Sequence, residues 1–375
     1  DGYFDDDASK LSFLQAQFDR LDFSPILIFL NPKTNQDRTL EGYISGDAKL
    51  KFRANQWDKL SGSFGISEYV LAKTGSKFNL EYPVDFKVSG GTFDTRRVSI
   101  VGKSGSAELT LKSEDSNLEG KIVGDIDNSL VEFFTPSVGQ ASGTSKLDFV
   151  LGGTLSHPSI FGRLGLEGGS VRLPSLDTSL ENITGNLRLN QNVLKLQNIQ
   201  TDLGGGKIGV QGEIVLNSGR PPEIAIKGSV SSAKLKVPPF QFVKTSGVLE
   251  VLGKEPPYRI VGNLSIDSAL CREKMMGQKQ KRGSLKALQY GPPALKEGEN
   301  NAPKFKLNID VEAKGGVVIQ NDIFRDVQAK GSLTVINTLD TPRIVGITEI
   351  TQGKVLFKDR IFQIQSAHGT KGEHG

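Results

Sequence analysis

Residues 204–216, GGGKIGVQGEIVL, carry the pattern that decides the fold. Three glycines predict a tight turn, and a run follows in which apolar and polar residues alternate. Because side chains of a β-strand point to opposite faces in turn, a period of two puts the apolar ones on one face. That face would carry Ile208, Val210, Ile214 and Leu216. The stretch therefore predicts a hairpin whose second strand has one dry and one wet side.

The same alternation recurs along the chain, and clusters of Gly, Asn, Asp and Pro separate the runs at the short spacings of an antiparallel meander. The abundance of glycine, 43 residues, and the low aromatic content, 7%, fit many short strands joined by tight turns. We therefore predict an all-β protein with one apolar sheet face. The residues assigned to that face are Leu164, Leu166, Val171, Leu173, Leu187, Leu189, Ile208, Val210, Ile214, Leu216, Ile224, Ile226, Ile260, Leu264, Ile266, Phe305, Leu307, Ile309 and Val311.

An internal repeat indicates an extended array of strands. The pattern TLxxPxIxG starts at Thr154 and again at Thr338, with no gap in either copy. A turn containing proline, then a strand and a glycine, is thus used twice. At this point an open sheet, a sandwich and a solenoid all remain compatible with the pattern.

Five segments follow from these changes of pattern. Residues 1–40 form a lead-in. The 3-4-3 spacing of its residues Leu11, Leu14, Phe18 and Leu21 predicts a short amphipathic helix. This helix would either pack on the end of the sheet or contact a membrane or partner. Residues 41–270 and 304–366 form the array, with a helical interruption at 128–134. Residues 271–303 break the pattern and predict a basic, flexible insertion, and 367–375 form a tail.

Composition argues against several classes of function. The 46 basic and 42 acidic residues are interspersed, which does not fit a nucleic-acid groove. A single cysteine, Cys271, in the basic insertion, allows no disulfide framework, and no apolar run is long enough for a spanning helix. The basic run 279–282 is interpreted as a solvated loop, with contact to lipid headgroups as the alternative.

Motifs of catalysis and ligand binding fail on their context. Gly204, Gly206 and Gly209 have the dinucleotide-binding spacing, but a strand follows them where that motif needs a helix. Residues 102–104, GKS, lack the earlier glycine of a phosphate loop. Residues 125–128, DIDN, lack the later ligands of a calcium loop, so a helix-capping turn is predicted at 125–128. The three histidines are scattered, and no GxSxG elbow occurs. We expect no enzyme activity, no metal and no cofactor.

Residues 120–270 and 304–366 resemble the C-terminal half of the TamB family, within the AsmA-like group of repeating β-groove proteins. The resemblance lies in residues 142–216, SGTSKLDFVLGGTLSHPSIFGRLGLEGGSVRLPSLDTSLENITGNLRLNQNVLKLQNIQTDLGGGKIGVQGEIVL. Within it, the GTxxxPxxxG turn, the LxNIxGxL turn and the GGGxIxVxG hairpin are similar to the recurring pattern of the family.

This resemblance implies an elongated, U-shaped antiparallel β-groove with an apolar concave face, also described as a β-taco. It implies a periplasmic protein tethered to the inner membrane by a segment outside this sequence, with membrane contact at the ends of the full-length protein. The partners it implies are phospholipid acyl chains and a TamA- or BamA-like outer-membrane β-barrel, in lipid transport, outer-membrane biogenesis or protein translocation. It brings no catalytic residues.

The function expected from the sequence is therefore a lipid conduit in which acyl chains lie on the apolar face. Two alternatives remain. One is a chaperone-like scaffold that offers the face or a strand edge to outer-membrane β-barrel proteins during assembly or secretion. The other is a β-solenoid adhesin or passenger domain, which would have a filled interior and a shorter repeat.

Overall fold

The computed structural model describes residues 2–3, 10–25, 40–53, 56–73, 75–90, 92–114, 117–134, 138–154, 157–174, 176–217, 219–237, 240–272, 304–357, 360–364 and 367–371. Nearly all of them are in β-strands, which confirms the predicted all-β class. The chain divides into two compact units, of which unit 1 comprises residues 1–175 and 181–192 and unit 2 comprises residues 176–180 and 193–375.

Unit 1 contains the strands β1 to β14 and the described helical turns. The strands are β1 (Gly2–Tyr3), β2 (Ser12–Asp22), β3 (Glu41–Arg53), β4 (Gln56–Lys73), β5 (Ser76–Leu80), β6 (Val84–Ser89), β7 (Thr92–Asp94), β8 (Val98–Val101), β9 (Ser106–Glu114), β10 (Asn117–Asp127), β11 (Gln140–Ser142), β12 (Thr144–Gly153), β13 (Pro158–Arg172) and β14 (Leu180–Asn190). A 3₁₀ turn at Asn128–Leu130 leads directly into the helix α1 (Val131–Phe134). The helical interruption predicted at 128–134 is therefore confirmed.

Antiparallel pairing joins the strands of unit 1. The ladder runs from β1 through β2 and β3 to β4. There it divides, because the middle of β4 pairs with β6 and the last part with β5. The two branches rejoin at β9, which pairs with β7 and β8, and the ladder continues through β10 and β12 to β13.

Unit 2 consists, in its described residues, of strands joined by turns. They are β15 (Val193–Leu203), β16 (Gly206–Val215), β17 (Glu223–Leu235), β18 (Phe240–Gly253), β19 (Tyr258–Cys271), β20 (Phe305–Ile319), β21 (Phe324–Thr338), β22 (Pro342–Phe357), β23 (Arg360–Ile364) and β24 (Ala367–Lys371). Each pairs with its successor, except that β23 and β24 both pair with β22. β24 lies within the segment predicted as a tail.

One pair in unit 2 departs from the predicted antiparallel pattern, because β19 and β20 run parallel, with Tyr258 opposite Phe305 and Cys271 opposite Ile319. A parallel pair needs a crossover of a dozen or more residues, since the chain must return to the edge where the first strand began. The segment between Cys271 and Phe305 has that length. The insertion predicted at 271–303 lies outside the described residues from 273 onward.

The amphipathic helix predicted from Leu11, Leu14, Phe18 and Leu21 is wrong, because Ser12–Asp22 is the strand β2. A spacing of four also puts Leu14 and Phe18 on one face of a strand. The spacing of three is explained by a β-bulge, since the partner strand advances only from Gly46 to Ile44 while β2 advances from Phe18 to Leu21. A bulge of one extra residue thus produces the apolar spacing of a helix.

The repeated segment forms the same structure twice. The β12–β13 hairpin and the β21–β22 hairpin each end in a strand that starts at a proline, Pro158 and Pro342. Proline suits the first position of a strand, where its missing N–H disturbs the ladder least. In each copy a glycine lies opposite a large side chain, Gly162 facing Phe149 and Gly346 facing Leu333.

The small fully buried core of unit 1 forms beneath α1. It contains Leu71, Phe78 and Phe133, each at most 3% exposed, and Phe133 meets Phe78 edge to face with 5.7 Å between ring centroids. Tyr69 and Leu130 pack against this cluster. The core therefore holds the helix against the sheet, which positions the site described next.

Candidate functional site

The strand register of unit 2 brings the predicted apolar residues onto one face. Val210 lies between Ile199 of β15 and Gly228 of β17, and Ile309 lies between Gly262 of β19 and Val335 of β21. The predicted residues that share this face within strands are Ile208, Val210, Ile214, Ile224, Ile226, Ile260, Leu264, Ile266, Phe305, Leu307, Ile309 and Val311. Leu216 follows the end of β16 and is 47% exposed. The role of these residues in binding stays a prediction.

Further apolar residues join this face, which we call the apolar face of unit 2. They are Leu194, Leu196, Ile199, Val230, Leu249, Val251, Leu333, Val335, Ile344 and Ile350. Sequence reasoning missed most of them because their strands have apolar residues on both faces. In β18, for example, Val248 and Leu252 point away from the face that Leu249 and Val251 share. The glycine turns could have located β18, but only its pairing gives its orientation.

The opposite face of unit 2 carries charged residues beside its apolar ones. Lys227 and Glu250 are direct cross-strand partners with a 3.0 Å ion pair, and Lys330 and Glu349 form another at 3.0 Å. Exposed pairs of this kind contribute at most about 1 kcal/mol each to stability. Their main consequence is a hydrated surface behind the apolar one.

A row of β-bulges crosses unit 2 from β17 to β20. The register shifts after Val230 in β17, at Asp267 in β19, and between Ala313 and Val317 in β20. A bulge bends its strand, and aligned bulges bend neighbouring strands together. Along this row the apolar face carries small buried residues, with Ala233 0% and Ala269 2% exposed. Small side chains therefore pack closely where the bulges cross the apolar face.

A serine stabilises the bend in each unit. In unit 2 the Ser232 N–H, at φ 55°, donates to Ser246 Oγ at 2.9 Å, and that hydroxyl donates to Asp267 Oδ2 at 2.7 Å. In unit 1 the Arg20 N–H, at φ 47°, donates to Ser45 Oγ at 2.9 Å. A bulge leaves one N–H without a ladder partner, and the hydroxyl of the neighbouring strand supplies one.

In unit 1 the predicted residues Leu164, Leu166 and Val171 line one cavity of about 390 Å³ beside α1. Leu187 and Leu189 lie in β14, where both are half-buried between exposed neighbours. Leu173 follows the end of β13. The remaining lining of the cavity is Ile126, Asp127, Asn128, Leu130, Val131, Ala141, Ser145, Leu147 and Ile183.

Buried carboxylates hold the helical wall of this cavity. Asp127 caps the 3₁₀ turn, accepting hydrogen bonds from the backbone N–H of Ser129 at 2.9 Å and of Ser104 at 3.0 Å. Burial alone would raise the pKa of Asp127, but these hydrogen bonds outweigh it and hold the pKa below its ordinary value. Glu132, 5% exposed, accepts from the N–H of Ala141 at 2.6 Å. The capping turn predicted at 125–128 is thus confirmed.

The other motifs resolve into local structure. Gly204 and Gly205, with φ of 55° and 80°, form the turn of the β15–β16 hairpin, as predicted. Cys271, predicted in an irregular insertion, is instead the last residue of β19, because its pairing with Phe240 and Ile319 extends the strand. In the described ranges no three His, Cys, Asp or Glu side chains could together hold a metal ion. Among those residues, too, no helix is long and apolar enough to span a membrane.

The apolar strands of unit 2 coincide with a known family. Residues 197–370 match the family model described as the TamB C-terminal domain. The matched region, less than half of the chain, is therefore similar to a TamB C-terminal domain. Comparison with curated proteins and with solved structures gave no match. The matched range covers the strands from β16 to β23 completely, so the row of bulges and most of the apolar face of unit 2 lie within it.

The match to the TamB C-terminal domain supports a role in the assembly of outer-membrane lipid or protein. The family is a membrane-associated periplasmic module. Strands β1 to β14 precede the matched range, and they repeat the TamB pattern in one respect, since the β12–β13 hairpin carries the same turn and strand as the β21–β22 hairpin.

Proposed function

We propose that this protein holds phospholipid acyl chains on its apolar face and passes them between the inner and outer membranes through the periplasm, without catalysis. The observation that carries the proposal is the register of unit 2, which puts aliphatic side chains on one face and charged ones on the other. The described part of unit 2 contains strands and turns alone, so no helix within it covers the apolar face. An aliphatic surface of this kind suits an aliphatic ligand.

The energetics favour this use of the face. A lipid tail of roughly 16 carbons costs on the order of 12 kcal/mol to expose to water, at about 0.8 kcal/mol per methylene. Contact with Leu, Ile and Val offsets most of that cost at every position, because apolar contact is non-directional. A tail can therefore move along the strands without crossing a high barrier, and the polar reverse face keeps the protein hydrated.

A charge on the apolar face tests the proposal. In Val210→Asp and Ile309→Asp the new carboxylate must stay hydrated, so about three methylenes of a lipid tail lose contact with the apolar face. The loss costs roughly 2.4 kcal/mol, or about 50-fold in affinity. The matched controls are Val248→Asp in β18 and Val261→Asp in β19, whose side chains lie on the opposite face of the same sheet. The measurement is phospholipid bound per protein after purification, by mass spectrometry.

We expect both apolar-face variants to lose most of the bound lipid and both controls to retain it. Equal lipid in all four proteins, each with an unchanged far-UV spectrum, would contradict the proposal. A photo-crosslinker at Leu189 distinguishes the lipid conduit from the alternative of a scaffold for an outer-membrane β-barrel partner. Recovery of phospholipid adducts supports the conduit, whereas outer-membrane proteins without lipid would replace it by the scaffold.

A further inference from the structure

The cavity beside α1 differs from the open apolar face because it has walls on several sides. Its floor is formed by adjacent strands, where Leu147 lies opposite Leu164 and Ser145 lies opposite Leu166. Leu130 and Val131 form the wall on the helical side, and Ala141, Val171 and Ile183 complete the lining. Val131 is 39% exposed and thus lies at the opening.

The polar groups of the lining already have partners within the protein. The Asp127 carboxylate accepts two backbone N–H groups, as described above. The Asn128 amide donates to Ser142 O at 3.2 Å and accepts from the Ser145 hydroxyl at 2.5 Å. With these groups engaged, a ligand would be recognised through its hydrocarbon surface rather than through hydrogen bonds.

The helical wall is held in place before any ligand arrives. Glu132 fixes α1 to β11 through the N–H of Ala141, and Lys73 Nζ donates to the carbonyl oxygen of Glu132 at 3.0 Å. Phe133 anchors the same helix in the core. A cavity with a fixed wall binds without the cost of ordering that wall.

We propose that this cavity binds the end of one unbranched alkyl chain, and that unit 1 therefore retains a single lipid tail at a defined place. The volume of about 390 Å³ holds about 13 methylene-sized groups, at roughly 30 Å³ each. The lining is mostly aliphatic and has no aromatic ring, which suits a narrow flexible chain. This inference rests on the proposed function, and it adds a retention site to a surface that otherwise only guides chains.

Chain-length dependence tests the proposal. The probes are n-alkyl maltosides with 6 to 16 carbons, measured by calorimetry with the whole chain below their critical micelle concentrations. Each added methylene should tighten binding about 4-fold until the cavity is filled near 13 carbons, and the gain should then stop. A gain that continues steadily to 16 carbons would overturn the proposal, since an open face has no end wall.

Two variants and one control locate the site. Val131→Trp places a large ring at the opening and should weaken binding of the dodecyl probe at least 10-fold. The control is Val150→Trp, because Val150 lies on the polar face of β12 and is 50% exposed. This control should change binding of the dodecyl probe less than 2-fold. Leu147→Ala enlarges the cavity and should shift the plateau to chains longer by about two carbons. Equal weakening by both tryptophans, or an unmoved plateau in Leu147→Ala, would contradict the assignment.

The outcome can be separated from that of the proposed function. If Val131→Trp leaves dodecyl binding intact while Val210→Asp still reduces bound phospholipid, the retention site is wrong and the conduit stands. If Val210→Asp and Ile309→Asp leave phospholipid unchanged while the alkyl series still reaches its plateau, unit 1 binds single chains and the conduit along unit 2 is wrong.

Discussion

The hydroxyl of Ser246 supports the bend of unit 2, so its removal predicts a measurable loss of stability. Ser246→Ala deletes the acceptor of the Ser232 N–H at 2.9 Å and the donor to Asp267 at 2.7 Å. Each ordinary hydrogen bond contributes about 1 kcal/mol net, and the bond to the partly exposed carboxylate adds little beyond that. The expected decrease in the free energy of unfolding is therefore about 2 kcal/mol.

Urea unfolding followed by far-UV circular dichroism measures this loss. With a slope near 3 kcal/mol/M, a decrease of about 2 kcal/mol lowers the midpoint by about 0.7 M at unchanged slope. The control is Ser229→Ala, whose exposed hydroxyl has only a 3.5 Å contact to Gly209 O, and its effect should stay within about 0.5 kcal/mol.

The equivalent serine of unit 1 provides a second test of the same reasoning. Ser45→Ala should lower the free energy of unfolding by about 1 to 2 kcal/mol, because it leaves the Arg20 N–H without its acceptor. The hydrogen bond of Ser45 to Asp19, at 3.4 Å, is long and adds little to this loss. If Ser246→Ala and Ser45→Ala unfold at the same urea concentration as Ser229→Ala, the hydroxyls do not support the bulges and the reasoning fails.

Two further predictions concern unit 1. Gly162→Ala should lower the free energy of unfolding by about 1 to 3 kcal/mol, because a Cβ there would lie 2.4 Å from Asp148 O. The control Gly152→Ala, whose Cβ would have its nearest neighbour at 3.4 Å, should be nearly neutral in the same urea assay. Equal losses in the two variants would refute the steric argument. Asp127→Asn should lower the free energy of unfolding at pH 7. Because the folded-state pKa of Asp127 lies below its unfolded value near 3.9, the stability difference between wild type and variant should be constant from pH 7 to 5 and shrink below about pH 4. A stability difference unchanged at pH 3 would contradict this.

Much of the fold follows from local chemistry that the sequence displays directly. The alternation of Ile208, Val210 and Ile214 with polar residues determines a one-sided strand, because successive side chains of any strand point to opposite faces. Gly204 and Gly205 determine the hairpin turn, since both adopt positive φ. Asp127 determines the cap of the turn before α1 for the same local reason.

Other features depend on which strands meet, and only the tertiary structure decided them. The bulge at Arg20 made β2 resemble a helix in sequence, because a bulge is defined by the count of residues on the partner strand as well as its own. The orientation of β18, with apolar residues on both faces, follows from its pairing with β17 and β19. The parallel pairing of β19 with β20 likewise joins residues that are distant in the chain.

The cavity beside α1 shows this division most clearly. Alternation and the repeat placed Leu164, Leu166 and Val171 among the candidate residues, but they line a cavity only because β10, β14 and the helical turn bring Ile126, Ile183 and Leu130 around them. A period of two tells which way a side chain points from its own strand. What it meets there depends on register and on the packing of distant segments, which are properties of several strands together and of no single stretch of sequence.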